Sequence, residues 1–231
     1  MKRHRTAIIT GASRGLGLAL ARELAARGWR LVIDARTSDE LDSAAHELSK
    51  VGDIQSLAGD VGDDRHRRAL VEAAGARIDL LVNNASVLGP SPQPELGAYP
   101  LAELERVYRV NVLAPLALIQ LCWPRIEAGG CVINVTSDAA VEPYPGWGGY
   151  GSAKAALEQL TAIFSAEHPD LRVYWVDPGD MRTRMHQEAF PGEDISDRPP
   201  PEGSVPGLLA LIEGTLASGR YRTADVVAAV R

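Results

Sequence analysis

The sequence predicts an α/β fold: a doubly wound parallel sheet of about seven strands with helices on both faces, three layers in all. Three observations carry this. Apolar runs of strand length alternate along the chain with helix-length stretches at a 3.6-residue period. The first strand-like run, Thr6–Thr10, leads straight into a glycine-rich turn and then a helix. The 231 residues, 45% hydrophobic and 23% charged, suffice for one well-buried domain, 1–231, and fall short of two ordinary ones.

The elements follow in order. Thr6–Thr10, Leu31–Ala35, Ile54–Ala58, Asp79–Val82, Cys131–Val135 and Arg172–Val176 are short apolar runs that read as strands, and Gly219–Ala224 is a weaker seventh. Leu16–Arg27, Asp39–Lys50, Asp63–Ala76, Leu101–Ala128 and Gly151–Glu167 read as helices. Gly28 is placed to stop the first. Pro115 divides or kinks the fourth, because proline lacks the N–H that continues a helix. Gly89–Pro100 and Phe190–Pro206 are rich in proline and read as loops, and a loop as long as the second is usually functional or mobile.

The composition excludes several classes of function. A net charge of -6 offers no basic field for nucleic acid or an anionic membrane. The basic start, MKRHR, is followed by too short an apolar run for a signal peptide. No apolar run approaches the ~20 residues that span a bilayer. Cys122 and Cys131, both in apolar surroundings, suggest neither a disulfide framework nor a zinc site. A reducing cytoplasm is the expected location, and no metal site is expected.

Thr10-Gly11-Ala12-Ser13-Arg14-Gly15-Leu16-Gly17 is the first stretch with chemistry in it. Glycines at 11, 15 and 17 let the backbone turn tightly and approach a pyrophosphate at a helix N-terminus, as in Rossmann-type folds. Alone, such a turn is equally compatible with a tight connection that binds nothing. Gly11–Gly15 also matches the G-x-S-x-G elbow of serine hydrolases, with Ser13 as nucleophile. That elbow follows several strands rather than the first, and nothing around His168 or His186 marks a triad.

The second stretch is Tyr150-Gly151-Ser152-Ala153-Lys154, at the start of a predicted helix. Four residues apart, Tyr150 and Lys154 lie on one helical face. Ser137, thirteen residues before the tyrosine, ends a strand, so all three reach the carboxyl edge of a parallel sheet. Carbonyl reduction needs a hydride to carbon and a proton to oxygen. A free phenol, with a pKa of about 10, exchanges protons poorly near neutrality. An ammonium ~4 Å away favours phenolate by about 4 kcal/mol at an effective dielectric near 20, or about three pKa units, with desolvation opposing it. The Ser137 hydroxyl can hydrogen-bond the substrate oxygen as charge develops there.

With these residues in view, the chain resembles the short-chain dehydrogenase/reductase family, in its compact single-domain branch. Thr10–Gly17 is similar to that family's TGxxxGxG turn. Asp60-Val61 resembles the pair that contacts adenine. Asn83-Asn84-Ala85 resembles its NNA signature, here followed by Ser86 where glycine is usual. Asn111 falls where the family has an asparagine that shapes a helix and holds a water linking lysine to solvent. Ser137, Tyr150 and Lys154 are similar to the catalytic residues at the family's spacing. Pro178-Gly179 with Thr183 resembles the segment at the nicotinamide end, preceded by Asp177 where asparagine is common. Tyr-x-x-x-Lys separates this branch from relatives with Tyr-x6-Lys.

The resemblance implies an oxidoreductase that moves a hydride reversibly between nicotinamide and a carbonyl or secondary alcohol, with Tyr150 as acid and base and Asn111 supporting. The expected cofactor contacts are Gly11, Ser13, Arg14, Gly15, Leu16, Gly17, Arg36, Asp60, Val61, Asn83, Ala85, Tyr150, Lys154, Pro178, Gly179 and Thr183. By resemblance, Ala35 occupies the acidic position that selects NAD, with Arg36 beside it and Arg14 in the turn. Guanidinium suits a 2'-phosphate, which favours NADP(H). If the strand register shifts by one residue, Asp34 becomes the ribose ligand and NAD(H) is preferred. Asp138 and Glu142 either sit in solvent or line the pocket and discourage acidic substrates.

The expected partner is a small-molecule carbonyl or alcohol. The segment 180–206, with Met181, Met185, His186 and Phe190, either closes over it as a lid or packs as a loop. Trp147 is a plausible pocket wall. The family commonly forms homodimers or homotetramers through its two long helices, here Leu101–Ala128 and Gly151–Glu167. The alternative to an enzyme is a cofactor-binding sensor of the same fold, for which a degraded Ser137–Tyr150–Lys154 set would be expected.

Overall fold

The computed structural model describes residues 4–230; Met1, Lys2 and Arg3 of the basic start, and Arg231, lie outside the described residues. Seven strands form one parallel sheet: β1 (Thr6–Ile9), β2 (Arg30–Ala35), β3 (Asp53–Ala58), β4 (Ile78–Asn83), β5 (Ile126–Val135), β6 (Arg172–Asp177) and β7 (Gly219–Arg222). Their order is β3-β2-β1-β4-β5-β6-β7. The helices are α1 (Gly15–Ala26), α2 (Ser38–Leu48), α3 (Asp64–Ala74), α4 (Leu101–Tyr108), α5 (Ala114–Cys122), α6 (Gly148–Glu167), α7 (Arg184–Ala189), α8 (Val205–Glu213) and α9 (Thr223–Val230).

Strand pleating sorts the core onto two faces. Ala7, Ile9, Leu31, Ile33, Leu80, Val82, Ile133 and Val176 point to the face covered by α1, α2, α8 and α9. Ile8, Val32, Leu81, Val132 and Val173 point to the opposite face, under α3, α5 and α6. The continuous apolar runs seen in the sequence follow from this, since both faces of every central strand are buried. Chain direction across the sheet reverses between β1 and β4, and a crevice opens there beyond the strands' carboxyl ends. Both cysteines are buried and free, and burial pushes each thiol up to about 12.

Three expectations are corrected. The stretch read as helix over Leu101–Ala128 is α4, a five-residue π segment (Arg109–Leu113), α5 and a turn of 3-10 helix, and Ile126–Ala128 already belong to β5. Pro115 offers no N–H to the carbonyl four residues back, that of Asn111, and the widened π turn falls there. The loop read over Phe190–Pro206 ends in a 3-10 turn and in α8, which accepts Pro206 in its first turn, where no N–H is needed. The last strand stops at Arg222, and Thr223 and Ala224 open α9.

Candidate active site

The glycine turn sits at the crevice between β1 and β4. Gly11 adopts φ +66, and a Cβ there would fall 2.8 Å from Ala85 Cα. Its N–H donates to Asp34 Oδ1 at 2.7 Å, while Asp34 Oδ2 lies 3.0 Å from His66 Nε2. Just after β4, Asn84 Nδ2 donates to the carbonyls of Thr10 (2.8 Å) and Gly11 (3.0 Å), and Thr10 Oγ1 accepts from the N–H groups of Asn84 and Ala85. The turn is thus pinned from two strands. Helix α1 starts behind it with no acidic residue in its first turn, so its positive end stays free for an anion.

Gly17 closes the cradle from behind. A Cβ at that position would stand 2.5 Å from Gly11 O and 2.6 Å from Asn84 Nδ2, both held in place. Gly17→Ala is therefore expected to destabilise the fold by about 1–3 kcal/mol, read as a lower urea midpoint, and to weaken dinucleotide binding; an unchanged midpoint would mean that the turn yields.

A cleft of about 550 Å³ runs from this turn along the sheet edge, and Ser137, Tyr150 and Lys154 line it together. Ser137 follows β5; Tyr150 and Lys154 occupy the first two turns of α6. Lys154, only 2% exposed, donates from Nζ to Val135 O at 2.7 Å and lies 5.5 Å from the Tyr150 ring centroid. Tyr150 packs with Leu88 and Ala139, with Trp147 edge-on at 5.9 Å. Ser86 stands beside its hydroxyl, and Ser86 Oγ donates to Asn111 Oδ1 at 3.1 Å.

The electrostatics depart from the expectation of a lysine-depressed phenol. Burial raises the Tyr150 phenol above its ordinary range; the neighbouring Ser86 hydroxyl opposes this, and the Asp177 and Asp138 carboxylates reinforce it. Lys154 is itself lowered to about 8 by burial, against the pull of Glu158. Desolvation wins because both groups are enclosed, and the ammonium donates to a backbone carbonyl rather than to the phenol.

Among the other expected residues, Ser13, Arg14, Gly15, Leu16, Arg36, Asp60, Val61, Ala85, Pro178, Gly179 and Thr183 all line the cleft. Asn83 does not: it bridges strands inside the sheet by donating to Asn134 Oδ1 at 2.7 Å, and Asn84 lines the cleft instead. Asn111 is buried at the π segment, where it accepts from Val87 N–H and donates to Val87 O. Asp34 is 1% exposed and committed to Gly11 and His66, while Arg36 beside it is exposed. Arg14 pairs with Glu40, which Arg184 approaches at 3.5 Å. Asp138 lines the cleft and accepts from Ser137 Oγ (2.8 Å) and Tyr144 Oη (3.0 Å), whereas Glu142 is exposed.

Sequence reasoning missed Glu158 and Arg220, which lie just behind the serine. Glu158 follows Lys154 by one helical turn, a signal that was present; Arg220 comes from the last strand, and no local spacing marks it.

Comparison with known proteins agrees with this geometry. Residues 5–194 match the profile of the short chain dehydrogenase family. A short chain dehydrogenase of Penicillium thymicola is 33% identical over 97% of this chain and 90% of its own length. A rhamnolipids biosynthesis 3-oxoacyl-(acyl-carrier-protein) reductase of Pseudomonas aeruginosa is 32% identical over 96% and 93%. An alcohol dehydrogenase of the archaeon Thermococcus sibiricus, solved with 5-hydroxy-NADP, superimposes with a TM-score of 0.84 at 27% identity, over 95% of this chain and 96% of that one.

Proposed function

The chain belongs to the short-chain dehydrogenase/reductase family and is an oxidoreductase of CH–OH and C=O groups, and from that premise we propose that it uses NADP(H), with Tyr150 as the proton donor and acceptor. The observation that carries the reading is the meeting of Ser137, Tyr150 and Lys154 on the cleft that the glycine turn closes. The pinned turn, the free end of α1 and the exposed Arg36 fit a phosphorylated dinucleotide, and the archaeal relative solved with an NADP derivative supports the choice. When bound, the nicotinamide supplies or takes the hydride.

The chain's own residues handle the proton. Tyr150 Oη holds it, because burial keeps the phenol neutral, the form needed to protonate a nascent alkoxide. Ser137 Oγ turns from Asp138 to the substrate oxygen as charge builds there. Ser86, in contact with the Tyr150 hydroxyl, can turn its own proton toward the phenolate that is left. Lys154 supplies positive charge below about pH 8 and loses it above. Asn111 ties the π turn to the segment after β4 by its bonds to Val87.

The segment 180–206 is read as the substrate lid within one domain, 1–231. Phe190 of that segment lies 5.8 Å from the Trp147 ring, and Met185 packs on the Tyr150 cluster. With Asp138 and Asp180 lining the cleft, the preferred substrates are uncharged aldehydes and ketones rather than acids. A homodimer or homotetramer is expected through the stretch from α4 to α5 and through α6, where Leu113 of the π segment and Ile163 stay exposed. Among the described residues no helix is long and apolar enough to cross a membrane, and a cytoplasmic location is proposed.

The test is loss of NADPH absorbance with a panel of uncharged aldehydes and ketones. Turnover with NADPH exceeding that with NADH is expected; no turnover with any carbonyl, in either direction, would overturn the assignment.

A further inference from the structure

The segment that carries Ser137 is held at three successive residues by three charged side chains. Val135 O accepts from Lys154 Nζ at 2.7 Å. Thr136 Oγ1 donates to Glu158 Oε1 at 2.8 Å. Ser137 O accepts from Arg220 Nη2 at 3.2 Å. Arg220 Nε also reaches both carboxylate oxygens of Glu158, at 3.0 and 3.2 Å, which closes the set into one network. Thr136 is buried, and the Glu158 side chain is 12% exposed.

We propose that Glu158 and Arg220 are positioning residues for this reaction, a paired acid and base from α6 and β7 that hold the Ser137 segment against Tyr150 and balance the charge of Lys154. The proposal rests on the oxidoreductase reading above. Removing either member of a pair this enclosed leaves its partner's charge poorly compensated. The Arg220 Nε–H, donated to both carboxylate oxygens, fixes the carboxylate's orientation, and that carboxylate in turn fixes Thr136. The chain between Thr136 and Ser137 then has little freedom, because Thr136 N–H is also bonded to Val176 O at 2.8 Å.

The network has an electrostatic consequence. Lys154 feels the charge of Glu158 on its own helix, while the Tyr150 phenol beside it feels Asp177 from β6 and Asp138 after β5, and Arg220 from β7 is paired with Glu158. Asp177 is approached at 3.5 Å by Arg222, and Asp138 is occupied by Ser137 and Tyr144. Glu158 acts on Lys154 directly, in the direction that keeps the ammonium protonated. Loss of its charge therefore favours the neutral amine, and the alkaline limb of carbonyl reduction moves to lower pH.

The experiment compares Glu158→Gln, Arg220→Met and Arg220→Lys with the unaltered protein. Steady-state pH profiles are paired with the titration of the Lys154 ε-carbon resonance in lysine-labelled protein. Glu158→Gln, nearly isosteric and able to accept from Thr136, is expected to shift both the alkaline limb and the Lys154 titration down by about one pH unit, while KM for NADPH stays the same. Arg220→Met is expected to lower kcat by about tenfold, and Arg220→Lys to restore most of that loss. Folded variants with kcat, pH profile and Lys154 titration all unchanged would overturn the proposal, even if their thermal stability fell. A shifted Lys154 titration in a protein without turnover on any carbonyl would uphold the network and defeat the oxidoreductase reading; full turnover with an unmoved titration would do the reverse.

Discussion

Tyr150→Phe is expected to reduce turnover by about a thousandfold while leaving NADPH binding intact. The substitution removes one hydroxyl and nothing else. The ring keeps its packing against Leu88 and Ala139 and its edge contact with Trp147. Ser86 keeps its bond to Asn111, so no buried donor is stranded. Stability should therefore change by about 1 kcal/mol or less. No other phenol is in position to take over: Tyr144 is bound to Asp138, and Tyr99 packs beneath Gly89 and Gly149. Single-turnover oxidation of bound NADPH, beside a fluorescence titration of its affinity, separates the two effects. Turnover within about tenfold of the unaltered enzyme would place the proton donor elsewhere.

Arg36→Ala should produce the second large effect, confined to binding. Three acidic or basic groups crowd the end of β2, and two are already committed. Asp34 is buried, accepting from Gly11 N–H and facing His66, so it cannot turn outward to a ribose without releasing the glycine turn. Arg14 is paired with Glu40. Arg36 lines the same cleft and enters no side-chain hydrogen bond or ion pair among the described residues. A guanidinium bonded to a phosphate contributes about 1.5–3 kcal/mol. Its loss should raise Kd for NADPH by roughly 10- to 100-fold and leave NADH binding unchanged. Equal weakening of both would remove Arg36 from the phosphate. Tighter binding of NADH than NADPH by the unaltered protein would reverse the proposed preference. Added salt should narrow the gap between cofactors, since Arg36 is exposed.

Much of this architecture was legible locally. Each central strand is buried on both faces, so its apolar run is unbroken and bounded by polar turns, and Ile8 with Val32 or Ile9 with Ile33 needed no partner to be recognised. The glycine turn was equally plain. Helix α8 was not, because Leu208, Leu209, Leu211 and Ile212 bury nearly its whole circumference and leave no polar face to mark a period. The proline-rich approach hid its start. The exchange of roles between Asn83 and Asn84 was hidden too: β4 ends between them, and the spacing alone does not say which of the two still pairs inside the sheet and which reaches the cleft.

The sequence by itself determined the fold class, the position of the glycine turn and the grouping of Ser137, Tyr150 and Lys154 at one sheet edge, since these depend on period and spacing along the chain. Tertiary structure alone decided how those groups are charged and held. Burial, which no local pattern reports, raises the Tyr150 phenol and lowers Lys154. The Asp34 carboxylate, although it borders the cleft, is engaged by Gly11 and His66, contacts 23 and 32 residues away in the chain. Arg220 reaches Ser137 across 83 residues because β6 and β7 pair beside β5. Charge state and long-range pairing depend on what surrounds a group in space, and the folded sheet supplies those surroundings.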